Sequence, residues 1–292
     1  MSDRLIMETL PVDRAVENYI KTIVLRTSKL KQQTEFRVLV PGNMAMLFFY
    51  FGKGVYEIRE DRWVRPEEPV SFVGLQTEPR YFADLEEYEA VIIYLTPFGV
   101  TSLFGKDAAN LVNKSYQQVP SLVEYMSWLE DDDFLALPLE ERAARIGKGV
   151  GDFFLNKSQP APETLVKIHH YVEDSHGTVQ VKDLAEKLDL TRQNLFYLAK
   201  KHMGVNLNVY SRIERLRYAI SLLQDGYKWS EIVTEAGYYD YSHLTKDLKL
   251  FTHMPVAKYK ELMKHDNSDL TEFMRNQVGC FYYYLPPSGL FS

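Results

Sequence analysis

Cysteine is almost missing from this chain. Cys280 is the single one among 292 residues, so an intrachain disulfide and a Cys-rich zinc site are both excluded. Histidine is missing from the first 168 positions, and all seven histidines lie at or after His169. A histidine-clustered metal site in the first half is therefore excluded, and no metal or cofactor is expected. No apolar run approaches the roughly 18 residues that a membrane span needs, the longest being the strand-sized stretch 44–51. The opening MSDRLIMETL lacks a basic, apolar and small-residue succession, so no signal peptide is expected and a cytoplasmic location is. There is no GxSxG, P-loop or GxGxxG, and no grouping of nucleophile, base and ligand residues. No catalytic residue is assigned, and the chain is not expected to be an enzyme.

What is present is ordinary globular material: 46% hydrophobic and 25% charged residues, in a length that suits two cores. The net charge of −6 is uneven. Residues 163–264 hold 15 Lys and Arg against 13 Asp and Glu, while the rest holds 19 against 27. A less acidic C-terminal module on an acidic body is compatible with local contact to nucleic acid, and equally with two solvated surfaces.

The first half reads as strands divided by Gly and Pro: residues 35–40, 44–51, 55–59, 70–75 and 88–95, after a short helix-to-strand passage over 12–26. Short, evenly spaced strands predict an antiparallel barrel or sandwich. Helices are expected over 108–117, capped by Asp107, and over 139–155, the second weakened by Gly147, Gly149 and Gly151. They pack on the barrel or on a second subunit. Asp84, Glu86, Glu87 and Glu89 read as a solvated acidic loop rather than paired catalytic carboxylates. Phe48, Tyr50, Tyr56 and Tyr94 are candidate ligand-lining residues if the barrel encloses a small molecule, against the blander reading that they are core.

The second half, after a linker at 159–162, reads as helices. Residues 207–224 form a long one: Leu207, Tyr210, Ile213, Leu216, Ile220 and Leu223 share one face, Asn206 caps the start, and Asp225-Gly226 ends it. Ser211, Arg212, Glu214, Arg215 and Arg217 decorate its other faces. A short helix, a turn and a second helix precede it (181–201) and follow it (229–250). Asp189 makes the first turn before the cap Thr191, and Gly237 makes the second before the cap Asp240. Each unit is a helix-turn-helix. The second helices present Arg192, Gln193, Phe196, Tyr197, Lys200 and Lys201, then Tyr241, His243, Thr245, Lys246 and Lys249, groups suited to base edges and phosphates. His169 and His170 read as surface residues. The tail, with Phe281 to Tyr284 aromatic, is expected to pack on the first half or a second subunit.

Residues 179–260 resemble the DNA-binding domain of the AraC/XylS family of transcriptional regulators, through DLAEKLDLTRQNL, MGVNLNVYSRIERLRYAISLL and SEIVTEAGYYDYSHLTKDLKLF. RVLVPGNMAMLFFYFG and FVGLQTEPRYF resemble the cupin-like N-terminal domain of some of these regulators. The resemblance implies an α+β chain: a cupin-like antiparallel β-barrel with helices over 1–158, an all-α double helix-turn-helix domain over 159–265, and a tail over 266–292. It implies two reading helices in successive major grooves about 34 Å apart. Gln193, Phe196 and Tyr197, with Tyr241, His243, Thr245 and Lys246, would face the bases. The implied partners are double-stranded DNA, a small-molecule effector, a second copy in a homodimer and, for an activator, RNA polymerase. Two other readings stand: a small-molecule-binding protein whose helical module no longer binds DNA, and a regulator worked only by a protein partner. The family places Gly where this chain has His253, and a polar residue and an arginine where it has Phe196 and Tyr197.

Overall fold

The computed structural model describes residues 5–29, 35–52, 55–59, 62–65, 70–104, 108–115, 117–157, 162–265 and 282–285. Its strands are β1 (Leu5–Leu10), β2 (Ile20–Ser28), β3 (Glu35–Leu39), β4 (Ala45–Gly52), β5 (Val55–Arg59), β6 (Arg62–Val64), β7 (Val70–Val73), β8 (Arg80–Asp84), β9 (Tyr88–Leu95) and β10 (Tyr282–Leu285). They pair antiparallel into two five-stranded sheets, ordered β1-β2-β9-β4-β7 and β10-β3-β8-β5-β6. Among the described residues no ladder joins the sheets. Among the described residues the expected antiparallel barrel takes the form of two facing five-stranded sheets.

Strands β2, β9, β4 and β7 of the first sheet are largely buried on both faces, which explains their near-continuous apolar runs. Alternation along β9 sends Tyr88, Ala90, Ile92 and Tyr94 between the sheets. Val91, Ile93 and Leu95 go to the opposite face. There they meet the helices α1 (Pro97–Phe104), α2 (Pro120–Tyr125), α3 (Asp132–Leu135) and α4 (Leu139–Lys157). β4 divides in the same way, Met46 and Phe48 inward, Leu47 and Phe49 toward α4.

Two expectations fail here. The helix over 108–117 is only a 3-10 turn, Ala108–Leu111. Gln117 instead exchanges backbone hydrogen bonds with Phe72 (2.8 and 2.9 Å), and Lys114 O accepts from Gly74 N–H (2.9 Å). The edge of β7 has backbone groups to satisfy, and the chain serves them rather than coiling. Its expected cap, Asp107, lies outside the described residues. The acidic loop is also not uniformly solvated. Asp84 is fully buried, paired with Arg37 and with Arg26 (3.4 Å), and Glu89 pairs with Arg142 of α4.

The remaining helices are α5 (Glu163–Asp174), α6 (Val181–Lys187), α7 (Arg192–Met203), α8 (Leu207–Gln224), α9 (Trp229–Glu235), α10 (Tyr241–Thr252) and α11 (Val256–His265). They do not form a separate core. Val38, Val40, Leu75 and Phe98 of the first half are buried in the same cluster as Ile168, Leu195, Ile213 and Leu248. The tail returns as well: Tyr282–Leu285 adds β10 antiparallel to β3, Tyr282 opposite Leu39. The rest of the tail and most of the linker lie outside the described residues. Among those described, no helix is long and apolar enough to cross a membrane.

Candidate nucleic-acid interface

Capping places the helices of both units. In the first, α6 ends at a turn where Asp189 takes φ 52° and Leu190 N–H donates to Ala185 O (2.9 Å). Thr191 Oγ1 then accepts from Asn194 N–H (3.1 Å) to open α7, and Gly204 at φ 80° closes it. In the second, Gly237 takes φ 66°, Tyr238 N–H donates to Val233 O (2.9 Å), and Asp240 Oδ1 accepts from His243 N–H (2.7 Å) to open α10. Each side-chain cap is worth about 1 kcal/mol. The long α8 opens on Asn206, whose Oδ1 accepts from Val209 N–H (2.9 Å), and stops before Gly226 at φ 86°.

Both units are fastened to α8 by its polar residues. Arg215 donates to Gly177 O (2.8 Å), beside the first unit, while its guanidinium lies over the Tyr238 ring of the second (5.6 Å). Arg212 donates twice to the buried Asp247 of α10, at 2.6 and 3.2 Å. Burial holds the Tyr238 hydroxyl above its usual range, with the Asp247 charge acting in the same direction. The segment leading into the first unit also lies against the turn of the second, since a Cβ on Gly237 would lie 2.7 Å from Thr178 Cγ2. The residues expected on the other faces of α8 thus include those that hold the two units to it.

Another side of α8 meets the first half of the chain. Asn43 donates to Tyr210 O (2.9 Å) and to Glu214 (3.1 Å), and Glu214 in turn accepts from Arg217 (2.7 Å). His169, expected at the surface, is buried between Tyr210 Oη (2.8 Å from Nδ1) and Glu173 (3.3 Å from Nε2), with the Phe98 ring against it. Burial pushes its imidazole pKa down, the Glu173 charge opposing. Lys21 of β2 reaches Glu173 (2.7 Å), and Thr101 of α1 donates to His202 O at the end of α7 (3.2 Å). His170 is exposed as expected.

On this frame the second helices present mixed faces. Arg192, Gln193, Lys200 and Lys201 are exposed, and Tyr197 is 62% exposed with Lys201 Nζ 5.8 Å from its ring centre. Lys246, Lys249 and Tyr241 are exposed on α10, Tyr241 edge-on to Trp229. The two units with their shared rod are the part of the chain that a family model matches: residues 184–261 fit one described as a helix-turn-helix domain, of the AraC type. This chain carries an AraC-type helix-turn-helix domain.

Other likenesses are more distant. An uncharacterized response regulatory protein of Staphylococcus epidermidis is 27% identical over 89 residues, 30% of this chain and 36% of that protein. The match thus spans about a third of the relative's length. ToxT from Vibrio cholerae O395 is 15% identical with a TM-score of 0.43, over 80% of this chain and 98% of that one. The AraC-like transcriptional activator CuxR is 13% identical with a TM-score of 0.25, over 77% and 88%.

Within the AraC-type domain three expected base-facing residues are only half-exposed. Phe196 is half-buried and packs on the helical core. His243 is half-buried, its ring edge-on to Tyr238 at 5.1 Å. Thr245 is half-buried too, its hydroxyl donating to Ser242 O (3.1 Å). One exposed aromatic escaped the sequence reading: Tyr239, 91% exposed beside the α10 cap. It lies in a turn, where helical periodicity says nothing, though the run YYDY could have drawn attention to it.

His253, standing where the family has Gly, closes α10 at φ 56°. A left-handed non-glycine costs about 1–2 kcal/mol, partly offset by the greater freedom of glycine when unfolded. His253→Gly should therefore raise stability by roughly 0.5–1 kcal/mol in denaturant titration; a loss of stability would contradict this cap.

Of the candidate ligand-lining aromatics, Phe48 and Tyr94 do line a cavity between the sheets, of about 40 Å³. Tyr50 and Tyr56 lie outside it. Tyr50 Oη accepts from Val55 N–H (3.0 Å), and the Tyr56 ring meets Trp63. That cavity is well below the roughly 300 Å³ of an ordinary ligand site.

Proposed function

We propose that this chain is a transcriptional regulator of the AraC/XylS type, without enzymatic activity, that binds operator DNA in the cytoplasm. Residues 159–265 read the duplex, residues 1–158 sense an effector or a partner, and the 266–292 tail ties the two. One observation carries the reading: two capped helix-turn-helix units are fastened to one rod, α8, by Arg212 and Arg215. A pair so held can enter two successive major grooves. The outer residues Arg192, Gln193, Tyr197, Lys200, Tyr241, Lys246 and Lys249 then meet DNA, arginine and lysines chiefly at phosphates. Phe196, His243 and Thr245 support the reading helices from behind.

Control passes through the contacts of Lys21, Asn43 and Thr101 with α5, α8 and α7. A shift of the sheets would move the rod and one reading helix together. A second copy extends the operator, and RNA polymerase is the further partner where regulation is positive.

Selection of bound genomic fragments followed by mobility shift tests the proposal. Arg192→Ala and Lys246→Ala should each weaken binding and reduce the slope of log affinity against log salt by about 0.9, one phosphate each. Wild-type affinity and slope in both would refute the placement. A chain that retains no fragment at all would instead support a helical module that has lost DNA.

A further inference from the structure

Helix α4 holds three glycines, Gly147, Gly149 and Gly151, in its interior, where glycine is the poorest choice after proline. Two have a packing reason. A Cβ on Gly147 would lie 2.9 Å from Ile23 Cδ1, and one on Gly149 would lie 3.0 Å from Met126 Cε. Gly151 has none: its nearest neighbour would be Val16 Cγ1, at an ordinary 3.8 Å. The space left there belongs to a cavity of about 360 Å³, between α4 and the segment running from the end of β1 into β2. That is the size of a small-molecule site, unlike the space between the sheets.

We infer that this cavity, rather than the interior between the sheets, is the effector site, and that it takes a compact aliphatic amine; the effector role rests on the regulator reading above. The walls are aliphatic, with Leu10, Val12, Ile20 and Leu155 among them, and no aromatic ring lines them. Charge is confined to Asp13, Lys148 and Asp152. Lys148 is matched by Asp152 at 2.5 Å, which leaves Asp13 in surplus. An apolar body with an ammonium end complements this lining, whereas a carboxylate end would face two carboxylates.

The site has a route to the helices. Ile20 and Ile23 of β2 form part of its wall, and Lys21, where the strand's register shifts, reaches Glu173 of α5. Occupancy that shifts β2 is felt at the contact with α5.

Calorimetric titration of the full chain with 1-adamantylamine and with adamantane-1-carboxylate, ligands of one shape and opposite charge, tests this. The amine should bind the wild type one to one, and the carboxylate several-fold more weakly, as expected for a partly solvated charge. Gly151→Leu fills the chamber and should weaken the amine by about tenfold or more, since overfilling a packed space is unfavourable. Ala144→Leu, at an exposed position of the same wall, should do likewise if Gly151→Leu fails to fold. No saturable binding of the amine, equal affinity in the filled variants, or a carboxylate that binds as tightly overturns the site. Mobility shift with and without the amine is read separately. An amine that binds without changing DNA affinity overturns the effector role, while a wild type that binds no DNA defeats the regulator reading and leaves the calorimetry standing.

Discussion

Gly177→Ala should be the most damaging single-methyl change in the helical half. Gly177 takes φ 73°, and an added Cβ would sit 2.1 Å from Ser211 O and 2.7 Å from Arg215 N. Both atoms are backbone of α8, so no rotamer change relieves the clash. The residue also offers its carbonyl to Arg215, so a displaced turn loses that bond. Left-handed strain and overpacking together should cost about 3–5 kcal/mol. The melting temperature should fall by roughly 10 °C. Gly226→Ala is the matched control. Its φ is 86°, but nothing lies within 4 Å of the added Cβ. It should lose only the strain of the conformation, about 1–2 kcal/mol. Equal losses in the two variants would mean that the turn before α6 is not seated on α8. With the seat gone the first reading helix is no longer aligned with the second, so DNA affinity should fall in Gly177→Ala and stay near wild type in Gly226→Ala.

Arg212→Ala should cost about 2–3 kcal/mol and uncouple the second reading helix. Asp247 is 1% exposed, and one of its oxygens accepts both bonds from Arg212. Removing the arginine leaves that carboxylate in the interior without its cation. The Arg212 side chain is itself 37% exposed, so water screens part of the interaction and the loss stays below that of a wholly buried pair. Arg212→Lys keeps charge without the fork and should lie between. The guanidinium also lies against Phe251, so packing is lost as well. Operator affinity should fall roughly tenfold, equivalent to about 1.4 kcal/mol. Near-normal urea stability and DNA affinity would show that α10 is held to α8 by its apolar face alone.

The legible parts of the fold are those written in short-range rules. The 3.6-residue spacing of Leu207, Tyr210, Ile213 and Leu216 located α8, and Asn206, Thr191 and Asp240 located helix starts because a cap acts within three residues. Asp189 and Gly237 marked the turns through their tolerance of positive φ. Strands β3, β4, β5, β7 and β9 were legible as apolar runs between breakers. β1 and β8 were not: no Gly or Pro punctuates LIMETL at its start, and RYFAD follows Pro79 as a short run with charge at both ends.

At the candidate site the exposed arginines and lysines were readable, because a cation on the free side of a reading helix stays in water. Phe196 and His243 were not. Whether an aromatic on such a helix points outward or lies against its own unit depends on the space beside Leu195 or Tyr238, which lies beyond any local pattern.

Local chemistry, carried by the sequence alone, determined the double helix-turn-helix pattern, its caps and turns, the alternating strands and the want of a histidine metal site in the first half. Only the tertiary structure decided that the strands divide into two facing sheets, that His169, Glu214 and Asp247 are buried, and that a cavity of about 360 Å³ lies under α4. The reason is physical. Caps and periodicities act over a few residues, whereas the burial of a polar group depends on a partner such as Asn43 opposite Glu214, 171 positions away in the chain.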